Sequence, residues 1–295
     1  MIHQSVIEEL KMRNNIEDVV SSYVRLTRSG QNLKGPCPFH SEKTPSFTVF
    51  AGEGNFYCFG CGAGGDVITF IMKAENLAYP EALEFLANRV GMELPKDYRN
   101  KDEGMSRSEI VSMNREAAKY FYYMLRDPRG EVGMRYLTGR KLTDETMHHF
   151  GLGYAGKNGE QVVQYLRKKG FTDEEIKDSG LAMFSEQRGL RSQFWNRVMF
   201  PIQDINHRVI GFGGRVMGDG EPKYLNSPET MIFDKRRNLY GLNFARTART
   251  GNIILCEGYM DVIAMHQAGF TQAVASLGTA FTVEQANLLH RYAEN

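Results

Sequence analysis

Two closely spaced pairs of cysteine and histidine stand out near the beginning of the sequence. Cys37 and His40 are separated by two residues, and so are Cys58 and Cys61. Zn²⁺ prefers four nitrogen or sulfur ligands in a tetrahedron, and a two-residue spacer lets one tight turn direct two ligands at one ion. Disulfides or buried thiols are the alternatives. The charged first segment, "MIHQSVIEELKMRNN", indicates a cytosolic location, where disulfides are rare, so the spacing favours one structural zinc site.

The residues between the two pairs predict a β-hairpin. "SFTVF" (46–50) and "NFYCF" (55–59) are rich in β-branched and aromatic residues, and "AGEG" (51–54) supplies the turn between them. Two ligand turns joined by such a hairpin form a zinc ribbon. The fourth cysteine, Cys256, lies alone in an apolar run, and we interpret it as a core residue.

Two carboxylates near the end of the sequence are a second candidate for chemistry. The apolar strand "NIILC" (252–256), a helix and a second strand (271–280) follow one another, an order that predicts parallel strands joined by a right-handed crossover. Ligands bind beyond the carboxyl ends of such strands, where Glu257 lies directly and Asp261 four residues later. A carboxylate there could hold Mg²⁺, act as a general base, or only cap the helix that follows.

The elements around these residues predict an α+β and α/β multidomain protein. We expect a zinc ribbon with covering helices at 1–95, a polar linker at 96–109, a mixed α+β segment at 110–250 and a parallel α/β segment at 251–295. Strands at 197–202 and 208–216 predict a hairpin. The second of these contains "GFGGR", whose glycines would let a ligand or another backbone approach closely, or would mark a bulge or a barrel corner.

Size and charge narrow the possible classes. A chain of 295 residues with 42% hydrophobic residues can bury the cores of two or three domains. Its net charge of +1 gives no overall sign of nucleic-acid binding. No stretch approaches the roughly 20 apolar residues of a membrane span, so we expect no membrane partner.

The sequence resembles bacterial DNA primases of the DnaG type over almost its whole length. "CPFHSEKTPSF" and "FYCFGCGAGGDVITF" resemble the zinc-binding CHC2 domain of that family. Three further segments resemble the first part of the family's RNA polymerase core: "RVMFPIQDINHRVIGFGGRV", "EPKYLNSPET" and "FDKRRNLYGL". Two more resemble the opening of its Toprim fold: "CEGYMDVIAMHQAGF" and "ASLGTAFT".

This resemblance implies a nucleotidyltransferase that copies single-stranded DNA into short RNA primers for chromosome replication. The 3′-hydroxyl of the growing RNA would attack the α-phosphate of a ribonucleoside triphosphate and release pyrophosphate. Zn²⁺ would be held by the four ligands named above, and Mg²⁺ or Mn²⁺ would be served by Glu257 and Asp261. The implied location is the cytoplasm, at the nucleoid and replisome.

The resemblance also implies a set of side chains that handle template or nucleotide, namely Arg140, Arg215, Lys223, Tyr224, Asn226 and Lys235. Phosphates require cations, which arginine can supply with two parallel hydrogen bonds, and Asn226 would add a neutral hydrogen bond. Each basic residue taken alone would be a solvated surface charge. The ribbon, whose aromatics alternate with Lys34 and Lys43, is expected to engage unpaired bases and phosphates. In the family, a C-terminal domain binds the replicative helicase.

The sequence departs from the family in one respect. The family's Toprim fold carries an Asp-x-Asp pair, and this sequence contains no such pair. We therefore expect a fragment that binds zinc but does not polymerise. The alternative is a zinc-ribbon nucleic-acid-binding protein without catalysis. A Toprim enzyme that cleaves DNA, such as a topoisomerase, is a third interpretation, which residues 194–250 disfavour.

Overall fold

A computed structural model describes residues 3–40, 42, 44–75, 77, 79–95, 105–187, 189–248, 250–278, 280–290 and 292. The chain divides into two compact units, Met1–Gly104 and Met105–Asn295. None of the described helices combines the length and the hydropathy that a bilayer crossing requires. Most of the predicted linker at 96–109 and the predicted contact residue Lys43 lie outside the described residues.

The first unit is a five-stranded antiparallel sheet with helices. Its elements are α1 (Gln4–Arg13), α2 (Ile16–Ser21), β1 (Thr27–Ser29), β2 (Asn32–Gly35), β3 (Phe47–Phe50), β4 (Asn55–Cys58), β5 (Gly64–Asp66), α3 (Val67–Ala74) and α4 (Tyr79–Arg89). The strands pair in chain order. The predicted hairpin is confirmed, since β3 pairs with β4 from Phe47–Cys58 to Phe50–Asn55. Strand β5 was not predicted, because its glycines resemble a turn; it pairs with β4.

An aromatic cluster forms the core of the first unit. Phe47, Phe56 and Phe70 are each at most 2% exposed, and their ring centroids lie 5.2–6.1 Å apart. Burying one such ring contributes about 2–3 kcal/mol. Helix α3, which carries Phe70, begins where predicted, with the Asp66 side chain accepting the Thr69 N–H at 2.8 Å. The sheet that carries the cysteines is therefore supported by a hydrophobic core of its own.

The second unit contains the remaining elements. In chain order these are α5 (Arg107–Arg126), α6 (Glu131–Gly139), α7 (Asp144–His149), β6 (Gly153–Ala155), α8 (Glu160–Lys168), α9 (Asp173–Asp178), β7 (Ala182–Ser185), β8 (Gly189–Ser192), β9 (Arg197–Gln203), β10 (Val209–Val216), β11 (Tyr224–Asn226), β12 (Leu239–Tyr240), α10 (Leu242–Ala245), β13 (Ile254–Cys256), α11 (Tyr259–Gln267), β14 (Ala273–Ser276) and α12 (Val283–Leu289). A reciprocal capping box between Ser106 and Glu109 starts α5, so residues 107–109 of the predicted linker form its first turn.

A four-stranded antiparallel sheet lies in the first part of this unit, in the order β11-β10-β9-β6. The predicted hairpin is confirmed as β9 and β10, with a register shift between Val209 and Gly211. Helix α5 packs on this sheet, and its Phe121 meets Phe212 edge to face with centroids 5.4 Å apart. The other three strands of this sheet and helix α5 therefore support the short edge strand β11.

The second sheet of this unit has the order β12-β14-β13. Strands β13 and β14 are parallel, as predicted, with Cys256 opposite Ala275. Strand β12 pairs antiparallel with β14 and was not predicted, because two residues carry no periodicity. Tyr240, Tyr259 and Val262 share one hydrophobic cluster with Val198 and Phe200 of β9. The two sheets of the second unit are therefore packed around common buried residues.

Candidate functional site

The four predicted zinc ligands converge in the first unit. Cys37 Sγ and Cys61 Sγ are 3.8 Å apart, and Cys58 Sγ is 3.7 Å from His40 Nδ1. All four donor atoms lie within 4.8 Å of one another. A tetrahedral ion with Zn–S bonds of about 2.3 Å separates two sulfurs by about 3.8 Å, whereas a disulfide requires about 2.05 Å. The donor set therefore fits Zn²⁺, and the disulfide alternative is wrong.

Local structure explains how the ligands are presented. Cys58 ends β4, and a tight turn closed by the Gly62 N–H on the Cys58 carbonyl, at 2.9 Å, brings Cys61 back beside it. Cys37 follows β2 and is buried. Burial raises the pKa of the Cys37 thiol to about 12, so its thiolate form depends on the charge of a bound cation.

One face of the ribbon carries exposed aromatic rings beside a cation. Lys34 pairs with Thr48, and Thr48 pairs with Tyr57, so Lys34 and Tyr57 lie on the same face of three adjacent strands. Tyr57 and Phe59 are 42% and 69% exposed, and their ring centroids are 5.0 Å apart. Exposed rings beside a cation are the pattern that stacks unpaired bases.

The predicted carboxylates lie at the carboxyl edge of the parallel strands in the second unit. Glu257 follows β13 directly and is exposed, and it has no hydrogen-bond or ion-pair partner among the described residues. The N-cap of α11 is Gly258, so Glu257 lies one residue before the N-cap and is not itself the capping residue. Asp261, also exposed, lies in the first turn of α11, where the helix dipole favours negative charge.

This edge suits a magnesium ion in its donor chemistry. Mg²⁺ is usually held by one or two carboxylates, with water and substrate phosphates completing its shell, and Glu257 and Asp261 are exposed acidic side chains. Within the described part of the chain, the only group of three or more His, Cys, Asp and Glu at metal-binding distance is the zinc cluster. The two carboxylates are therefore candidates to share an ion with a bound substrate.

Two of the predicted template-binding or nucleotide-binding residues meet at the edge strand β11. Arg215 of β10 is paired with Tyr224 of β11, and its guanidinium lies 5.7 Å from the Tyr224 ring and 4.5 Å from the Tyr136 ring. Burial and the neighbouring Tyr136 raise the pKa of Tyr224, while the charges of Arg215 and Arg140 act against this shift. Tyr136 was missed, because one tyrosine in a helix has no distinguishing spacing.

Asn226 is engaged in a link between the two sheets. Its Oδ1 accepts the hydroxyl of Tyr259 at 2.6 Å, and its Nδ2 donates to the Leu277 carbonyl at 2.5 Å. Tyr259 lies two residues beyond Glu257, and Leu277 directly follows β14. The predicted hydrogen bond from Asn226 to a nucleotide remains a prediction; in the structure this side chain connects β11 to the carboxylate edge.

Two glycines of "GFGGR" make room for aromatic rings, one of which belongs to the same link. A Cβ at Gly213 would lie 2.5 Å from the Tyr259 ring, and one at Gly211 would lie 3.2 Å from the Phe233 ring. The register shift beside Gly211 corresponds to the predicted bulge. The close approach that was expected of a ligand or another backbone is made instead by aromatic side chains of other elements.

The two remaining predicted cations lie outside the helices and strands. Lys223 is exposed immediately before β11. Lys235 belongs to a loop whose backbone is held by the buried Gln285, which donates 2.9 Å hydrogen bonds to the carbonyls of Lys235 and Asn238. Gln285 was missed by the sequence analysis, since its partners lie about 50 residues away. Helix α12 therefore positions the loop that carries Lys235.

Three family models match consecutive parts of the chain. The CHC2 zinc finger matches residues 2–102, the N-terminal domain of the DNA primase catalytic core matches residues 120–246, and the Toprim domain matches residues 251–295. The first match and the four converging donors together identify the cluster at Cys37, His40, Cys58 and Cys61 as a zinc site.

Relatives and solved structures extend over the same residues. The DNA primase of Clostridium acetobutylicum is 45% identical over 299 residues, which cover 99% of this chain and 49% of that protein. A structure of the zinc-binding and RNA polymerase domains of the Aquifex aeolicus primase matches with a TM-score of 0.61 and 35% identity, over 98% of this chain and 70% of that one. A DnaG primase catalytic domain bound to single-stranded DNA matches with a TM-score of 0.60 and 39% identity, over 64% of this chain and 62% of that one. The chain thus spans about half the length of the full relatives that it matches.

Proposed function

The chain belongs to the family of bacterial DNA primases of the DnaG type, and on that premise we propose that it takes part in synthesising short RNA primers on single-stranded DNA. The reaction would join ribonucleoside triphosphates. The 3′-oxygen of the growing RNA would form a bond to the α-phosphorus of the incoming nucleotide, the bond from that phosphorus to the β-phosphate would break, and pyrophosphate would leave.

The observation that carries this proposal is the Tyr259–Asn226–Leu277 link. It ties β11, which carries Tyr224 beside Arg215, to the sheet edge that carries Glu257. Polymerisation needs phosphate-binding cations close to metal-binding carboxylates. The link supports such an arrangement, because it joins the cationic and the acidic elements by side chains that are satisfied inside the protein.

In this proposal, the side chains around β11 have distinct roles. Arg140, Arg215 and Lys223 would bind the phosphates of template or nucleotide, and the exposed face of Tyr224 would contact a base or ribose. Lys235 would neutralise phosphate charge from the neighbouring loop. Glu257, with Asp261 beside it, would hold Mg²⁺ or Mn²⁺, an ion that neutralises developing charge at the phosphate when it is bound.

The zinc ribbon would engage the template in this proposal. The exposed rings of Tyr57 and Phe59 beside Lys34 suit stacking on unpaired bases and neutralising one phosphate. The cytoplasm, at the replisome, would be the place of action. A replicative helicase would be a partner through a C-terminal domain of the kind found in the family.

Primer synthesis tests the proposal in an extended chain, in which residues 1–295 are joined to the remainder of a family Toprim domain that carries the Asp-x-Asp pair. Single-stranded DNA, labelled ribonucleotides, Mg²⁺ and zinc-loaded protein are incubated, and the products are resolved by length. Glu257→Gln removes the proposed metal ligand, and Glu284→Gln is the matched control, because Glu284 is an exposed acidic residue in the first turn of α12. We expect short RNA from the unmodified extended chain and from its Glu284→Gln variant, and a loss of at least 100-fold in Glu257→Gln.

Other outcomes would select another function. Equal RNA synthesis by Glu257→Gln would reject the assignment of the carboxylate. An absence of RNA from the unmodified extended chain, with DNA binding intact, would favour the zinc-ribbon protein without catalysis. Nicking of DNA without ribonucleotides would favour a DNA-cleaving Toprim enzyme.

A further inference from the structure

One carboxylate connects both pairs of zinc ligands, although it is not a ligand itself. Glu42 Oε1 accepts the backbone N–H groups of Cys37, at 2.8 Å, and of Ser46, at 3.0 Å. Glu42 Oε2 lies 3.3 Å from His40 Nε2 and accepts the Ser46 hydroxyl. We propose that Glu42 is a positioning residue of the zinc site, which orients His40 and fixes the loops that carry the cysteines.

The contact with His40 defines the coordinating nitrogen. His40 Nδ1 faces Cys58 Sγ at 3.7 Å, while Nε2 faces Glu42. A neutral imidazole that binds zinc through Nδ1 carries its proton on Nε2, and a carboxylate that accepts this proton fixes both the tautomer and the ring orientation. It also makes the ring a better electron donor to the metal.

A second route runs from Glu42 to the other ligand pair. Ser46 donates its hydroxyl proton to Glu42, and its Oγ accepts the N–H of Gly60 at 3.1 Å. Gly60 lies between Cys58 and Cys61, so this bond fixes the turn that presents both sulfurs. A Cβ at Gly60 would lie 2.7 Å from both His40 Nε2 and Ser46 Oγ, which shows how closely the turn packs on this network.

The burial of Glu42 agrees with this role. Its side chain is only 10% exposed, and burying a carboxylate is costly unless hydrogen-bond donors satisfy it. Two backbone amides and one hydroxyl do so here, and the His40 imidazole lies 3.3 Å away. These donors belong to the segments that carry the zinc ligands. The segments therefore fix the position of the carboxylate, and the carboxylate fixes the segments relative to each other.

Zinc affinity of the full chain tests the proposal. Glu42→Gln keeps the size of the side chain but removes its charge, and Glu53→Gln is the matched control, because Glu53 lies in the turn before β4, where Oε2 accepts the exposed Asn55 side chain. Competition with a chromogenic chelator measures the zinc dissociation constant. Loss of a residue that orients a metal ligand costs on the order of 10–100-fold in metal affinity, which we expect for Glu42→Gln, whereas Glu53→Gln should change affinity less than twofold.

Cobalt substitution separates positioning from a general loss of structure. The visible d–d bands of Co²⁺ report the geometry of its ligands, so Glu42→Gln should shift these bands and Glu53→Gln should leave them unchanged. Hydrogen exchange at the β3 and β4 amides checks that the ribbon is still folded. If Glu42→Gln fails to fold, Glu42→Asp, which keeps the charge but shortens the side chain by one methylene, should lower zinc affinity about 3- to 10-fold, on the lower part of the same scale. Zinc affinity and cobalt bands equal to the unmodified chain in Glu42→Asp and in any folded Glu42→Gln would overturn the proposal.

Discussion

The zinc site and the carboxylate edge treat their charged groups in opposite ways. In the zinc site, four donors lie within 4.8 Å of one another, and a carboxylate that is only 10% exposed accepts hydrogen bonds from the loops that carry them. At the edge of the parallel strands, Glu257 is exposed and has no hydrogen-bond or ion-pair partner among the described residues. A structural metal site satisfies its ligands within the protein, whereas a site that shares its ion with substrate leaves positions for that substrate.

The residues near the carboxyl edge of β13 and β14 also divide into buried, hydrogen-bonded side chains and exposed ones. Tyr259, Asn226 and Gln285 are buried or half-buried and make hydrogen bonds to other elements. Lys223 and Tyr224, which are expected to meet nucleic acid or nucleotide, are exposed. Buried, satisfied groups therefore hold the exposed groups in place. If this comparison is correct, substitutions should affect stability strongly in the first set and weakly in the second.

The largest effect is expected for Cys58→Ala. Cys58 is fully buried, and zinc binding supplies folding free energy to small metal-binding domains. Zinc content should fall from one ion per chain to near zero, and the first unit should lose at least about 3 kcal/mol of stability. Elemental analysis and hydrogen exchange of β3 and β4 measure both effects. Cys256→Ala is the control and should retain zinc; full zinc content in Cys58→Ala would contradict the ligand assignment.

Glu116, a carboxylate paired with two lysines, is compared next with Glu257, which is unpaired among the described residues. Glu116 binds Lys119 at 2.7 Å and Lys169 at 3.0 Å, and mainly these hydrogen bonds hold its pKa at about 2. Glu116→Gln should destabilise the second unit by about 1–2 kcal/mol at pH 6. This is less than the pKa shift alone implies, because both lysines are about half exposed and solvent screens the charges.

The pH dependence of this effect has a defined direction. The pKa of Glu116 is lower in the folded chain than its ordinary value of 4.5, so its stabilisation is present above pH 4.5 and is lost as the pH falls toward 2. The difference between the two proteins should therefore shrink over that range. Trp195 is the only tryptophan of the chain, so its fluorescence follows denaturation of the second unit alone. A constant difference down to pH 3 would show that the ion pairs are not its cause.

Tyr259→Phe tests the link beneath the edge. The substitution leaves Asn226 Oδ1 without its 2.6 Å hydrogen bond, and we expect a loss of about 1 kcal/mol in the free energy of unfolding. Tyr123→Phe is the control, since Tyr123 is 68% exposed and its loss should cost less than about 0.5 kcal/mol. Equal stability of the two variants in urea would argue against a stabilising link.

The smallest effect on stability is expected for Glu257→Ala. The side chain is exposed and unpaired among the described residues, so the free energy of unfolding should change by less than about 0.5 kcal/mol. Urea denaturation followed by Trp195 fluorescence measures this. A loss of 2 kcal/mol or more would mean that Glu257 is a structural residue, and the comparison with the zinc site would no longer hold.

The sequence predicts those features that depend on neighbouring residues. The zinc ligands follow from two spacers, the ribbon hairpin follows from two aromatic strands and a glycine turn, and the parallel strands follow from the order strand, helix, strand. Asp66 was predicted as the N-cap of α3 for the same local reason. In each case, the prediction depends on residues that are close in sequence or on the order of neighbouring elements.

What the sequence does not predict depends on distant contacts. Gln285 meets Lys235 across 50 positions, and Tyr259 meets Asn226 across 33. Tyr136 lies against Arg215 only because α6 and β10 are adjacent in the fold. Glu42 is close to its partners in sequence, but its role depends on which way its carboxylate points. A single sequence does not contain these orientations, since packing of the whole unit decides them.

The contact between Gly213 and Tyr259 limits how the carboxylate edge can move. The Tyr259 ring occupies the volume where any other residue at position 213 would place its Cβ. The first residue of α11 therefore packs directly on the backbone in the middle of β10. Rotating α11 to re-aim Glu257 would drive this ring into the β10 backbone. The first residue of α11, two positions beyond Glu257, is therefore held against a strand more than 40 residues away in the chain.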